Sequence, residues 1–239
     1  MTFRMTDDQK EIRDQILRIC ARFDGDYWLD RDRNGGFPHD LHRAMADGGW
    51  LGIAMPEAVG GAGLGITEAT IMMQAIAESG AGASGASAIH MNIFGLNPVV
   101  KFGTDEQRAR MLGPLIAGDE KACFAVTEPT TGLDTTKLSL FYTDLDRNFV
   151  DVREIEKMGR KAVDSNEVFI DGLPIPAEDL IGEEGKGFRQ ILHGLNPERI
   201  LVAGECIGIA RNALARAAHY ANERVIFDRP IGQNQGVQH

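Results

Sequence analysis

The chain has 239 residues, of which 43% are hydrophobic and 25% charged, and its formal net charge is −10. This length is ample for one or two domains with a buried core, and the apolar content excludes wholesale disorder. The acidic balance argues against a general nucleic-acid binder, which needs basic surface to displace the counterions of phosphates.

The spacing of the cysteines and the length of the apolar runs argue against metal-binding, disulfide-rich and membrane proteins. Cys20, Cys123 and Cys206 lie far apart, with no CxxC pair and no Cys/His ligand spacing, so we expect neither a metal site nor a disulfide framework. No apolar run approaches the ~20 residues of a membrane span, and the N-terminus lacks the pattern of a signal peptide. We therefore expect a cytoplasmic protein with no membrane partner.

The first half of the chain has the pattern of a helical domain. Thr6 and Gln9 form a T-x-x-Q capping signal, and the apolar residues that follow recur at helical spacing. The other predicted helices share a polar cap or a Gly/Pro break at an end: 39–46, a helix capped by Thr67, a small-residue stretch within 80–100, and a helix from Thr104 to about Gly113-Pro114.

After about residue 123 the pattern changes to short apolar runs typical of strands, at 140–145, 150–155 and 167–170. A long helix is then predicted with Asn196 as its N-cap and Pro197 at its first helical position. Its predicted apolar face consists of Ile200, Ala203, Ile207, Ala210, Leu214 and Ala217. Little sequence follows that could cover this face, so we expect either another chain on it or a shortened relative of a larger protein. The segregated elements favour a mostly helical α+β fold.

Several stretches, in order along the chain, resemble motifs of the acyl-CoA dehydrogenase family. They are 49–63, the T-E-P segment 123–129, the pair 158–165 and 182–188, and 224–231 with Gln235. The resemblance implies an N-terminal helical domain over 1–122, a reduced middle β-domain over 123–183, and the first helices of a C-terminal helical bundle over 184–239. It also implies FAD-dependent α,β-dehydrogenation of an acyl-CoA thioester by a homo-oligomer, a dimer or tetramer, that passes electrons to an electron-transfer flavoprotein.

In this family a carboxylate removes the α-proton of the substrate. A subset that resembles the isovaleryl and long-chain enzymes takes this base from the first C-terminal helix, and Glu198 matches that position. The ordinary alternative is a helix-start glutamate, stabilised by the helix dipole. Glu205 is a rival on nearly the same helical face, seven residues on. We prefer Glu198 because the motif match falls there.

The resemblance also implies binding residues. It assigns Phe124, Val126 and Thr127 to the flavin, Arg224 to the FAD pyrophosphate with Phe227 and Gln235 beside it on the FAD of a neighbouring subunit, and Leu133, Asn196 and Arg199 to the substrate. The plainer alternatives are a strand-to-turn segment for the first group, a solvated helix end for the second, and a surface charge for Arg199. Asp228 replaces the usual glycine of its motif and adds negative charge near a phosphate.

Two departures from the family pattern favour a different function. Leu133 stands where the family has a hydroxyl, and Lys137-Leu138 continues directly into 139–142 where several dozen family residues intervene, including a tryptophan motif that stacks on the flavin. The alternative hypothesis is therefore a truncated, non-catalytic homologue that acts as an interaction protein or a partner-dependent subunit.

Overall fold

The computed structural model describes residues 4–126 and 138–238. The N-terminal helices are α1 (Asp7–Cys20), α2 (Gly25–Asn34), α3 (His39–Asp47), α4 (Ile66–Ile76), α5 (Gly82–Phe94), α6 (Asn97–Phe102) and α7 (Asp105–Ile116). They are followed by β1 (Val150–Glu154), β2 (Asn166–Ile170), α8 (Gly187–Glu223), β3 (Val225–Ile226), β4 (Arg229–Pro230) and α9 (Gln235–Gln238). This order confirms the predicted α+β fold, in which helix dominates.

Two helix starts follow directly from their cap sequences. In α1 the Thr6 side chain accepts from the Gln9 N–H while the Gln9 side chain accepts from the Thr6 N–H. Thr104 and Gln107 make the same reciprocal pair at the start of α7. Each reciprocal pair is a capping box, which satisfies two backbone N–H donors that the start of a helix would otherwise leave without partners. Both predicted helix starts are confirmed.

Two other helix ends differ from the prediction. Thr67 is not a cap: α4 begins at Ile66, Gly65 precedes it, and the Glu68 carboxylate accepts the Gly65 N–H. Helix α7 also continues past Pro114 to Ile116. A proline in the last turn removes one hydrogen bond to the preceding turn, but its fixed φ is compatible with helical backbone, so the residues after it can stay helical.

The main core lies between α1, α3, α4 and α5. Its fully buried side chains include Ile16, Leu41, Met72, Ile76 and Ile89. A second cluster joins α6 and α7 to the segment before α8, through residues that include Leu112, Leu115 and Ile181. The helical part of the chain thus has a packed core against which the later elements lie.

Strands β1 and β2 pair antiparallel, with Val150 opposite Ile170 and Val152 opposite Val168. Because side chains alternate along a strand, these four lie on one face of the pair. The strand predicted over 140–145 is wrong: Phe141 alone makes an isolated bridge, to Leu180. An apolar run forms a strand only where a neighbour offers a ladder, and no longer ladder forms there among the described residues.

Helix α8 differs most from the sequence prediction. It begins at Gly187, nine residues before the predicted cap Asn196, and Pro197 lies inside it. Gln190, Ile191 and Gly194 are already buried on its first turns, so the packing of these turns extends the helix ahead of the proline.

The buried face of α8 contains three glycines at its closest contacts, beside the fully buried Leu201. Gly194, Gly204 and Gly208 pack against Phe94, Thr70 and Gln74 so closely that an added Cβ would collide with each neighbour. The predicted apolar face is exposed instead, with Ile207 50% and Leu214 72% accessible. A hydrophobicity count favours large side chains as the core, whereas this contact needs the smallest one. No helix in the described ranges is long and apolar enough to cross a membrane.

Candidate functional site

A cleft of about 650 Å³ lies between α5 and the β1–β2 pair. Its volume is typical of small-molecule and cofactor sites. The apolar face of the strand pair forms one wall, and the opposite wall includes Ala88, Met91 and Asn92 of α5. The lining also includes polar and charged residues: Ser87, Lys121, Thr143, Asp144, Arg147, Asp164, Ser165 and Asn166.

The segment 121–125 lines the same cleft and brings Phe124 into it. Phe124 is 37% exposed, and its ring centroid lies 6.2 Å from that of Phe94 on α5. The backbone of 121–126 makes no backbone hydrogen bond with the residues that the structure describes. An aromatic face beside open amide and carbonyl groups can bind a planar, polar-edged ring system. Val126 is half-buried and lies outside the cleft lining.

Glu198 is half-buried on α8. Its carboxylate makes no hydrogen bond or ion pair with any described residue, and the neighbouring Arg199 binds Asn196 instead. Along α8 it lies between Gly194, which packs on the Phe94 carbonyl, and Glu205, which binds His90. Among the described residues that line the cleft, none comes from α8.

Glu205 has a different environment from Glu198. It is only 4% exposed, and its Oε1 lies 3.0 Å from Nδ1 of His90 on α5. The His90 ring in turn contacts the Phe94 ring edge-on, with centroids 5.2 Å apart. Sequence analysis missed His90, because its partner is 115 residues away and no local pattern marks the pair.

The remaining predicted site residues fall in three places. Asn196 and Arg199 are exposed on α8 and bind each other, Arg199 Nη1 donating to Asn196 Oδ1 at 2.6 Å. Thr127 and Leu133 lie outside the described residues. Arg224, Phe227 and Gln235 are exposed at the far end of α8, where Phe227 is 92% accessible.

The length of α8 separates Glu198 from the predicted pyrophosphate residues. Glu198 and Arg224 are 26 residues apart, and at 1.5 Å per helical residue this is about 39 Å. Phe227 and Asp228 form the tip of the β3–β4 hairpin with positive φ values of 54° and 58°, and the chain after the hairpin returns to the helix end, where the Ile231 N–H donates to the Arg224 carbonyl at 2.9 Å. Within one chain, therefore, the predicted pyrophosphate residues are far from the predicted base.

Comparisons with known proteins agree with the order of the sequence motifs. Residues 6–119 match the family model "Acyl-CoA dehydrogenase, N-terminal domain", and residues 185–239 match "Acyl-CoA dehydrogenase, C-terminal domain". An acyl-CoA dehydrogenase of Bacillus subtilis is 28% identical, over 86% of this chain and 66% of the relative. Acyl-CoA dehydrogenase FadE12 of Mycobacterium tuberculosis is 27% identical, over 100% of this chain and 72% of the relative.

A solved structure has the same fold. Butyryl-CoA dehydrogenase from Megasphaera elsdenii superposes with a TM-score of 0.90 at 23% identity, over 100% of this chain and 75% of that chain. The chain thus spans between about two thirds and three quarters of the length of these relatives. The Mycobacterium alignment runs over 289 positions and contains all 239 residues, so about 50 positions of that relative have no counterpart here.

Proposed function

Because this chain belongs to the acyl-CoA dehydrogenase family, we propose that it carries out FAD-dependent α,β-dehydrogenation of an acyl-CoA thioester. The observation that carries the proposal is the presence of both family domains, in order, in one fold where α8 packs along α4 and α5. Glu198 follows by about one turn Gly194, the α8 residue that packs on the backbone of Phe94, and the Phe94 ring contacts Phe124.

Glu198 is proposed as the base that removes the α-proton. A base needs an unoccupied carboxylate that is partly shielded from water, and Glu198 is half-buried without a partner among the described side chains. Glu205 is shielded more fully, but its carboxylate already accepts a hydrogen bond from His90. The contrast in pairing supports Glu198 over its rival.

The cleft beside Phe124 supports the choice of cofactor. Phe124 and the open backbone of 121–126 would hold the ring system, with Val126 and Thr127 assigned to it from the motif alone. Bound FAD supplies the acceptor for the hydride that leaves the β-carbon of the substrate. Leu133, Asn196 and Arg199 are proposed to contact the acyl-CoA.

Arg224, Phe227 and Gln235 are proposed to serve the FAD of a second copy, since about 39 Å of helix separates Arg224 from Glu198 in its own chain. A guanidinium at an exposed helix end is well suited to a pyrophosphate, which it binds by forked, charge-assisted hydrogen bonds. The active form is accordingly a homo-oligomer, and an electron-transfer flavoprotein is the proposed electron acceptor.

A second candidate is a non-catalytic, partner-dependent homologue. About 50 positions of the Mycobacterium relative are missing here, and β1 and β2 form the longest strand pairing of the described region between α7 and α8. A two-stranded sheet is marginal by itself and needs packing partners. This observation favours a subunit that functions only with another chain on its sheet.

Flavin uptake followed by substrate bleaching tests both candidates. The purified chain is incubated with FAD, separated from free FAD, and mixed anaerobically with acyl-CoA thioesters of different length. Dehydrogenation predicts a yellow protein whose flavin absorbance falls on adding substrate. A protein that retains no FAD would refute the enzymatic proposal and leave the second candidate.

Two matched variants assign the base. Glu198→Gln should abolish bleaching while FAD stays bound, because general-base catalysis contributes about 10²–10⁴-fold. Glu205→Gln should retain bleaching, since an amide oxygen still accepts the His90 hydrogen bond. The reverse pattern would make Glu205 the base.

A further inference from the structure

The contact between α8 and the helices beneath it combines the fully buried Leu201 with glycines at the points of closest approach. Gly204 would place a Cβ 2.6 Å from Thr70 on α4, and Gly194 would place one 2.5 Å from the Phe94 carbonyl on α5. Such glycine-lined faces allow close approach of the backbones but offer little to stop one helix from rotating on another. Directional polar contacts add to the fixing of the rotation of α8: Asn212 Nδ2 donates to the Glu78 carbonyl at 2.7 Å, and Glu205 contacts His90 nearer to Glu198.

The His90–Glu205 pair is built for this task. Glu205 is the charged residue on the buried face of α8, at 4% exposure, and His90 belongs to α5. An ionised carboxylate can only accept, so Nδ1 of His90 is the donor in their 3.0 Å contact. A buried carboxylate without its partner destabilises the folded protein strongly. A rotation of α8 that separates Glu205 from His90 would therefore cost free energy.

The pair is coupled to Glu198 by helix geometry. Seven residues separate Glu198 from Glu205, so their side chains are offset by only about 20° around α8 and about 10 Å along it. A 20° rotation of the helix moves a side-chain end at a radius of about 5–6 Å by about 2 Å. Misplacement of about 1 Å is enough to cost about 10²-fold in rate.

We propose that His90 and Glu205 are a positioning pair that fixes the rotation of α8 and thereby the direction of the Glu198 carboxylate. The inference rests on the proposed function, in which Glu198 is the base. It assigns to His90 a role that neither touches substrate nor transfers a proton.

Kinetics of five variants test the proposal. His90→Ala and Glu205→Ala should each lower kcat by about 10²-fold with little change in KM, and the double variant should be no worse than either single one. Glu205→Gln should restore kcat close to that of the unmodified chain. Arg211→Gln is the matched control, because it loosens another α8 contact, the 3.6 Å pair with Glu78, while leaving Glu198 in place.

A measurement without cofactor or substrate separates this proposal from the proposed function. Cys206 is exposed on α8 beside Glu205, Cys123 is exposed at the cleft beside Phe124, and Cys20 is buried. Spin labels on the two exposed cysteines report the position of α8 by their distance distribution. The distribution should be narrow in the unmodified chain, in Glu205→Gln and in Arg211→Gln, and should broaden or shift in His90→Ala and Glu205→Ala.

The possible outcomes decide each claim separately. If the unmodified chain shows no dehydrogenation, the proposed function fails, and the label distances alone decide whether the pair fixes α8. If Arg211→Gln lowers kcat as much as His90→Ala, the pair is an ordinary structural contact and the positioning role is refuted. Unchanged distances and unchanged kcat in both alanine variants would refute it as well.

Discussion

Gly208→Ala should destabilise the protein although alanine is the better helix former. The added Cβ would collide with the Gln74 carbonyl oxygen, and would lie 2.9 Å from Ala77 Cβ and 3.0 Å from Glu78 N. Gln74 belongs to α4, and Ala77 and Glu78 belong to the π-helical turn Ala77–Ala81 that continues it, so relief requires moving α8 away from these elements. Overpacking of this kind costs about 3 kcal/mol at the upper end, and the helix propensity of alanine offsets about 1 kcal/mol.

The net loss of about 2 kcal/mol in the free energy of unfolding corresponds to a fall of about 4–8 °C in Tm for a chain of this size. Thermal and urea unfolding followed by circular dichroism measure both quantities. Gly25→Ala is the matched control: at the first residue of α2 nothing lies within 4 Å of the new Cβ, so this variant should be as stable as the original or slightly more so. Equal Tm values for the two variants would refute the close-contact argument for α8.

Three further predictions use other parts of the chain. Phe227 adopts φ 54°, which suits asparagine better than an aromatic residue. Phe227→Asn should therefore raise the free energy of unfolding by about 1 kcal/mol, measured by urea unfolding, and should weaken FAD binding, measured by flavin titration. Burial, together with nearby cations, lowers the pKa of His42 from 6.5 to about 4. Below pH 6.5 the His42 imidazole binds a proton in the unfolded chain but not in the native protein, so the free energy of unfolding should fall as pH drops from about 6.5 to about 4. His42→Phe should reduce this pH dependence, as measured by urea unfolding. Burial also raises the pKa of the Cys20 thiol to about 11, so a maleimide should modify Cys123 and Cys206 in the native protein and Cys20 only after unfolding, as counted by intact mass.

Local signals in the sequence predicted the helix starts well. A capping box needs only two residues three positions apart, as at Thr6 and Thr104, and tertiary packing does not change that chemistry. The start of α8 was not predictable in the same way. Asn196 and Pro197 form a valid local start signal, but the packing of Gln190, Ile191 and Gly194 makes the helix begin before it, at Gly187.

The face of α8 shows a second limit. Leu214 and Ile207 lie on the stripe that a hydrophobicity pattern selects as the core, yet both are exposed. Gly204 and Gly208 carry the buried contact, and a glycine is silent in such a pattern because it has no side chain to count. His90 was missed for a different reason: its partner Glu205 is 115 residues away in the sequence, and only the fold brings the two together.

The length of α8 has a genetic consequence. If each site combines Glu198 of one copy with Arg224 of another, two defective chains can repair each other. In a mixed dimer of Glu198→Gln and Arg224→Ala chains, one site inherits both lesions and the other inherits neither. Co-expression of two inactive alleles would then restore activity that neither allele has alone, whereas a site confined to one chain would stay inactive in every mixture.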